Sequence, residues 1–129
     1  VRALEHGDAS PQPAEIFSSS DATDPVVLID DADLVDDPDE AIVKLLTQRL
    51  PGVHLIVAGR ADALRSAYGH WTQQVRRSRS GVLLRPDVDY DGDLLGVRLP
   101  RRTSVLVTVA RGWLVNDGVA ELIQAATIG

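Results

Sequence analysis

The chain of 129 residues contains no cysteine and no methionine, and lysine occurs once, as Lys44, against twelve arginines. Without cysteine, disulfides and thiolate metal sites are excluded. No apolar run approaches the roughly 20 residues needed to span a bilayer, and no signal peptide is visible. The sequence therefore reads as a soluble, cytoplasmic segment, and an anchor to the inner face of the membrane would lie elsewhere in a longer protein. His6, His54 and His70 are far apart and belong to no ligand motif, so zinc is not expected. Aromatics make up only 4% of the chain, and Trp71 and Trp113 read as core or interface residues rather than base-stacking platforms. Also missing is any glycine-rich G-x-x-x-x-G-K-S/T loop, the element that cradles nucleotide phosphates on backbone N–H groups. Lys44 sits in an apolar helical stretch with no glycine loop before it.

What is present is ordinary globular composition, 44% hydrophobic and 25% charged, in a length that suits one domain with its own core. The net charge of −6 argues against this piece gripping nucleic acid by itself. It also hides an asymmetry: residues 1–59 carry −9 and residues 60–129 carry +3, with every base of the second half an arginine. Segregated charge suits head-to-tail assembly, although solvated faces explain it equally well. The chain begins at Val1 rather than Met, which fits a piece cut from a longer protein.

The most informative stretch is Pro25-Val-Val-Leu-Ile-Asp-Asp-Ala-Asp-Leu34. An apolar run ending in Asp30 and Asp31 predicts a strand buried on both faces, with two carboxylates at its carboxyl lip. Such a pair suits a hydrated Mg²⁺ ion, which prefers oxygen ligands and keeps most of its waters. Residues 1–24, rich in Ser, Pro, Ala and Asp, predict a mostly irregular lead-in or linker, with Ile16 and Phe17 as its clustered apolar anchors. Asp37-Pro38-Asp39-Glu40 predicts a helix start, with Asp37 as N-cap and Glu40 closing a capping box. Ile42, Leu45, Leu46 and Leu50 then recur at helical spacing up to Pro51-Gly52.

Val53 to Ala58 predicts a second buried strand. Residues 61–79 read as helix, with Leu64, Tyr68, Trp71 and Val75 on one face and Gly69 a point of division. Gly81 to Leu84 predicts a third strand, and 87–100 a loop turning at Asp91-Gly92-Asp93. The end reads as a β-meander of Ser104–Val109, Gly112–Val115 and Val119–Ala126, the last being a short helix in the alternative. Alternation of strand and helix implies a parallel sheet, whose ligands gather at the carboxyl ends of its strands. That rule puts Asp30, Asp31 and Arg60 along one edge.

Taken in order, these pieces resemble the C-terminal half of an FtsK/SpoIIIE-type motor domain, a family of DNA translocases and type VII secretion ATPases. The resemblance is carried by Val26–Leu34 as the Walker B strand and by Gly52-Val-His-Leu-Ile-Val-Ala-Gly-Arg60. It continues through Gly81–Pro86, Asp91–Gly96, Leu99–Arg102, Arg111–Val115 and Leu122–Ala125, and covers roughly residues 25–126. It implies an α/β, partial RecA-like P-loop NTPase fold: a mostly parallel sheet with flanking helices and a C-terminal antiparallel meander. The P-loop is then expected in the upstream part of the same ATPase domain. The resemblance further implies ATP and Mg²⁺ as cofactors of the intact parent, a hexameric ring, and DNA or a secreted protein as cargo.

The resemblance also assigns roles. Asp30 would hold Mg²⁺, with loop capping as the structural alternative. Asp31 stands where active relatives carry the Glu that orients the attacking water, one methylene short of it. Arg60 ends the second strand at a phosphate-sensing position, or else forms a surface salt bridge. Arg76, Arg77 and Arg79 are candidates for an arginine finger to a neighbour's phosphate, or for a basic helix end. Asp33, Asp36, Asp37 and Asp39 read as solvated or capping residues.

Two rivals remain. A receiver domain of two-component signalling also opens on a strand ending in paired acids. It needs a phosphoacceptor acid ending a later strand and a lysine beyond it, and neither is present. A catalytically degenerate ATPase-fold module, docking a secretion substrate or a neighbouring ATPase domain, suits the shortened Asp31.

Overall fold

The computed structural model describes residues 2–4, 25–48, 52–102 and 109–126. Where the sequence implied one domain, the chain divides into two compact units, Val1–Val75 and Arg76–Gly129.

In the first unit, β1 (Arg2–Leu4), β2 (Val26–Ile29) and β3 (His54–Val57) form a parallel sheet in that order. The lead-in expected to be mostly irregular thus contributes a strand; Ile16 and Phe17 lie outside the described residues. β2 pairs with β3 in the register Ile29↔Val57. Its burial alternates, Val27 and Ile29 being buried and Val26 and Leu28 half-buried, and on β3 His54 and Ile56 are exposed. Burial on both faces, expected for these runs, is therefore replaced by one covered face and one more open face. The covered face packs Val27, Ile29, Ala32, Val35, Ile42 and Trp71 together, with Val43, Leu46, Leu55, Val57 and Val75 against them.

Helix α1 (Ala41–Gln48) begins later than the motif predicted. Asp37-Pro38-Asp39-Glu40 forms a turn closed by Glu40 N–H to the Asp37 carbonyl at 3.0 Å. Glu40 takes a left-handed backbone, φ 54°, so its side chain cannot close a capping box in helical geometry. Asp37 still caps the helix from the start of that turn: its carboxylate accepts from Ile42 N–H at 3.0 Å and Val43 N–H at 3.1 Å. Leu50 and Pro51 lie outside the described residues. The stretch 61–79 does split at Gly69, φ 68°, into α2 (Ala61–Ser66) and α3 (Thr72–Arg76). Trp71 is buried, and its indole N–H donates to the Val35 carbonyl at 2.7 Å. His70 Nε2 reaches the same carbonyl at 3.1 Å. Tyr68, expected on the buried face, is instead 87% exposed, because the helix ends before it.

The second unit is an antiparallel sheet of β4 (Gly81–Leu84), β5 (Arg111–Asn116) and β6 (Val119–Gln124) in that order. This corrects the sequence expectation for Gly81–Leu84, which leaves the parallel sheet and pairs with β5 instead. A four-residue apolar run shows that a strand exists but not which strand accepts its hydrogen bonds. β5 and β6 are joined by the two-residue turn Asp117-Gly118, both with positive φ (47° and 78°). That backbone matches the twist of a tight hairpin. Leu83, Val97, Leu99, Trp113 and Val115 form the core. The expected loop after β4 contains a 3-10 helix, Asp91–Leu95, held by Asp91 Oδ2 accepting from Asp87 N–H at 2.7 Å. Residues 104–108 of the first expected meander strand lie outside the described residues. Gly112 sits where an added Cβ would meet the Leu83 carbonyl oxygen at 2.5 Å, so β4 and β5 need a glycine there.

Two substitutions test this account. Asp37→Ala should destabilise the protein by about 1–2 kcal/mol, the usual cost of losing a helix cap. Gly112→Ala should cost about 1–3 kcal/mol through overpacking against a backbone that cannot move aside. Chemical denaturation reads both, and losses under about 0.5 kcal/mol would remove the cap and the close approach from the argument.

Candidate functional site

The candidate site is built by the way β2 and β3 leave the sheet. The Ile29 carbonyl accepts from Ala58 N–H at 2.8 Å, and the Ala58 carbonyl accepts from Ala32 N–H at 3.0 Å. Because Ile29 is paired with Val57, the segments Asp30–Asp31 and Ala58–Arg60 emerge at one carboxyl edge. Asp30, Asp31 and Arg60 are therefore at the same edge, all exposed. Asp30 Oδ1 accepts the N–H of Asp31 at 2.9 Å. One oxygen of Asp30 thus steadies the turn. Asp31 has a left-handed backbone, φ 47° and ψ 44°, and its carboxylate makes no capping bond to the 3-10 turn Ala32–Leu34 that follows.

Arg60 precedes α2 with an extended backbone, φ −78° and ψ 135°. Its guanidinium donates to Asp62 Oδ2 at 2.7 Å, in a pair 75% and 61% exposed. The hydrogen bond from Arg60 is the largest cause holding the Asp62 carboxyl below its ordinary range. A lowered acid contributes stability above its unfolded-state pKa and loses it as pH falls through the folded value. Here solvent screens the pair, so it sets where the Arg60 side chain rests more than how stable the fold is.

The sequence reading missed Asp33. It was expected to be solvated or capping, but its Oδ1 is buried with no hydrogen-bond partner among the described residues. The same oxygen lies 3.2 Å from where a Cβ on Gly59 would stand, with Leu64 crowding the other side at 3.3 Å. An unpaired buried acceptor costs about 1–3 kcal/mol, more when charged. The available signal was Gly59 directly before Arg60: a strand ending in glycine marks a place where something presses close to the backbone. Asp36 and Asp39 are exposed, and the Lys44 ammonium donates to the Asp39 carbonyl at 3.1 Å.

The arginine-finger candidates belong to different surroundings. Arg76 Nε donates to the Leu94 carbonyl at 3.4 Å. The Arg79 guanidinium donates to the Gly96 carbonyl at 3.2 Å and lies over Gly96 and Gly118, while its own carbonyl accepts from Gly118 N–H at 3.2 Å. Arg79 is thereby a clasp between the 3-10 segment and the β5–β6 turn. Arg77 is exposed and makes no hydrogen bond or ion pair among the described residues.

The fold is similar to that of the cytoplasmic domain of EssC. The match has a TM-score of 0.60 at 16% identity and covers 86% of this chain. The chain spans 23% of the length of that structure. No protein-family model matches the sequence, and no curated protein matches it significantly.

The fit to the expected cofactors differs between the two. Among the described residues no cluster of three or more His, Asp or Glu side chains could hold a metal in a protein cage. Mg²⁺ does not require one, since it is commonly held by one or two carboxylates plus phosphate oxygens and waters. The remaining oxygen of Asp30 fits that role. The nucleotide itself does not fit this chain alone, because nothing in the sequence supplies a phosphate-cradling loop. Among the described residues, no helix is long and apolar enough to cross a membrane.

Two measurements follow from this geometry. Arg60→Ala should raise the Asp62 pKa toward the ordinary carboxylate range in an NMR titration while leaving the thermal midpoint at neutral pH nearly unchanged. A second titration of the same carboxyl in Arg65→Ala should retain the lowered value. An Asp62 carboxyl indifferent to Arg60 would break the pair.

Proposed function

We propose that this chain is the Walker B side of an FtsK/SpoIIIE-type ATPase module of the type VII secretion kind. The single observation that carries the reading is the in-register exit of β2 and β3, which brings Asp30, Asp31 and Arg60 to one sheet edge. The fold likeness to the cytoplasmic domain of EssC supports it. The ordered motifs from Val26 to Ala125 support it independently of that likeness.

In this reading Asp30 anchors a hydrated Mg²⁺ ion, and bound Mg²⁺ neutralises phosphate charge. Asp31 faces solvent at the position from which a carboxylate orients water. Arg60 contacts a phosphate oxygen, and Arg77 is the best placed of the three finger candidates, since Arg76 and Arg79 are already engaged within their own unit. The P-loop comes from the upstream part of the same domain, and the whole assembles as a homo-oligomeric, hexameric ring moving DNA or a secreted protein. A second reading is favoured by Asp31 standing where Glu is usual: a module that no longer hydrolyses ATP and docks a secretion substrate or a neighbouring ATPase domain.

ATPase rates of the full-length protein separate the two. Asp30→Ala should abolish Mg²⁺-dependent hydrolysis at this module by removing the ion's protein anchor. Asp31→Glu should leave the rate unchanged or raise it. Equal rates for the wild type and both variants would make the Asp pair a turn-forming device and leave the docking module standing. The isolated chain should bind Mg·ATP no more tightly than about millimolar, for want of the phosphate loop. A micromolar dissociation constant by calorimetry would contradict the half-site.

A further inference from the structure

We propose that Arg60 has two carboxylate partners and exchanges between them. Asp62 holds it in the state described here, and Asp33 holds it when the strand-edge turn closes on a bound phosphate. The inference rests on the reading of the site given above and assigns Asp33 as a positioning residue within it.

Asp33 Oδ1 is buried and lacks a donor among the described residues, and it lies against Gly59, the residue directly before Arg60. The N–H groups of Ala58 and Ala32 are spent on the carbonyls of Ile29 and Ala58, and among the described residues no N–H reaches Asp33 Oδ1. The Arg60 guanidinium, carried by the residue next to Gly59, is a strong donor for it. Its present partner, Asp62, is exposed and within the same surface turn. Releasing it returns a carboxylate to water at little cost.

The guanidinium suits the exchange because it carries five N–H donors in a rigid fork. Two of them can grip a carboxylate while others face a phosphate, each bond strengthened by charge. Moving the cation toward a half-buried carboxylate costs desolvation. An anionic phosphate at the sheet edge offsets that cost, which gives the ligand its differential affinity for the closed state. In this scheme Arg60 touches phosphate and Asp33 fixes where Arg60 points. Glycine at 59 keeps the turn thin enough for the two to meet.

The test uses the full-length protein and reads more than turnover. In an NMR titration the Asp62 carboxyl should rise toward its ordinary range when Mg·ADP or inorganic phosphate saturates the site, because Arg60 has left it. An Asp62 pKa unmoved by either probe overturns the exchange. In nucleotide-free protein, Asp33→Ala should raise the melting temperature by about 2–4 °C, since a buried acceptor without a donor is removed. A fall of that size would mean that Asp33 is already paired and overturn the proposal.

In Mg·ATP turnover, Asp33→Ala and Arg60→Ala should each lower kcat about tenfold, and the double variant should be no worse than either. Asp62→Ala should keep kcat and lower KM. Multiplying effects in the double variant would show that Asp33 and Arg60 act apart. If Asp30→Ala abolishes turnover while Asp33→Ala changes neither kcat nor KM, the exchange fails and the ATPase reading stands. If Asp30→Ala also changes nothing, the ATPase reading fails and takes the exchange with it.

Discussion

The geometry of the candidate site depends on two hydrogen bonds at the carboxyl edge of the parallel sheet, Ala58 N–H to Ile29 and Ala32 N–H to Ala58. They fix the phase of both chains at the point where each leaves its strand. Side chains alternate faces along a strand, so a slip of one residue would exchange Ile29 for Asp30 on the covered face. Ile29 is fully buried, and a bare carboxylate in its place would pay a desolvation cost of several kcal/mol. The apolar residues of β2 thus decide which way the acids point. Ala32, fully buried behind them, returns the chain to the sheet after the turn. The carboxylates at the edge are held by the packing of their apolar neighbours, with few contacts of their own.

A comparable economy governs the second unit. Arg79 combines a left-handed backbone, φ 52°, with bonds at both ends of its own residue: the side chain to the Gly96 carbonyl and the carbonyl from Gly118 N–H. The two glycines under its guanidinium have positive φ and no side chain to hold it off. One long cation therefore closes the 3-10 segment and the hairpin turn together. This is why charge alone could not sort Arg76, Arg77 and Arg79 in the sequence, where they differ only in position. What separates them is whether the guanidinium is already engaged within the unit.

The parts legible in the sequence were those dictated by local chemistry. The apolar run before Asp30, the cap at Asp37, the break at Gly69 and the Asp117-Gly118 hairpin each follow from a few adjacent residues. Partner choice was not legible. Gly81–Leu84 was placed beside the parallel strands because alternating strand and helix implies that arrangement, yet its hydrogen bonds go to β5. The start of α1 moved because Glu40, a good helix former, takes a positive φ that no propensity encodes. Asp33 was overlooked for a related reason. Its buried oxygen lies against Gly59, a residue 26 positions away, and no local pattern reports such an encounter.

The same backbone bears on Asp31, which stands where the FtsK/SpoIIIE resemblance implies Glu. Residue 31 turns the chain out of β2 with φ 47° and ψ 44°. Left-handed backbone is costly for most side chains, and Asp is among the few that visit it readily, because its short polar group can interact locally. Glu visits that region less readily and would pay more of the strain, on the order of 1–2 kcal/mol. The turn it would strain is the one that carries Ala32 back to Ala58 and Asp33 to Gly59. A shorter acid at 31 can thus be selected by the fold of the edge, without any reference to lost hydrolysis. The exchange of Glu for Asp therefore weighs less toward a degenerate module than side-chain length alone suggests. The stronger evidence on that question lies in whether the Asp33–Gly59–Arg60 turn responds to phosphate.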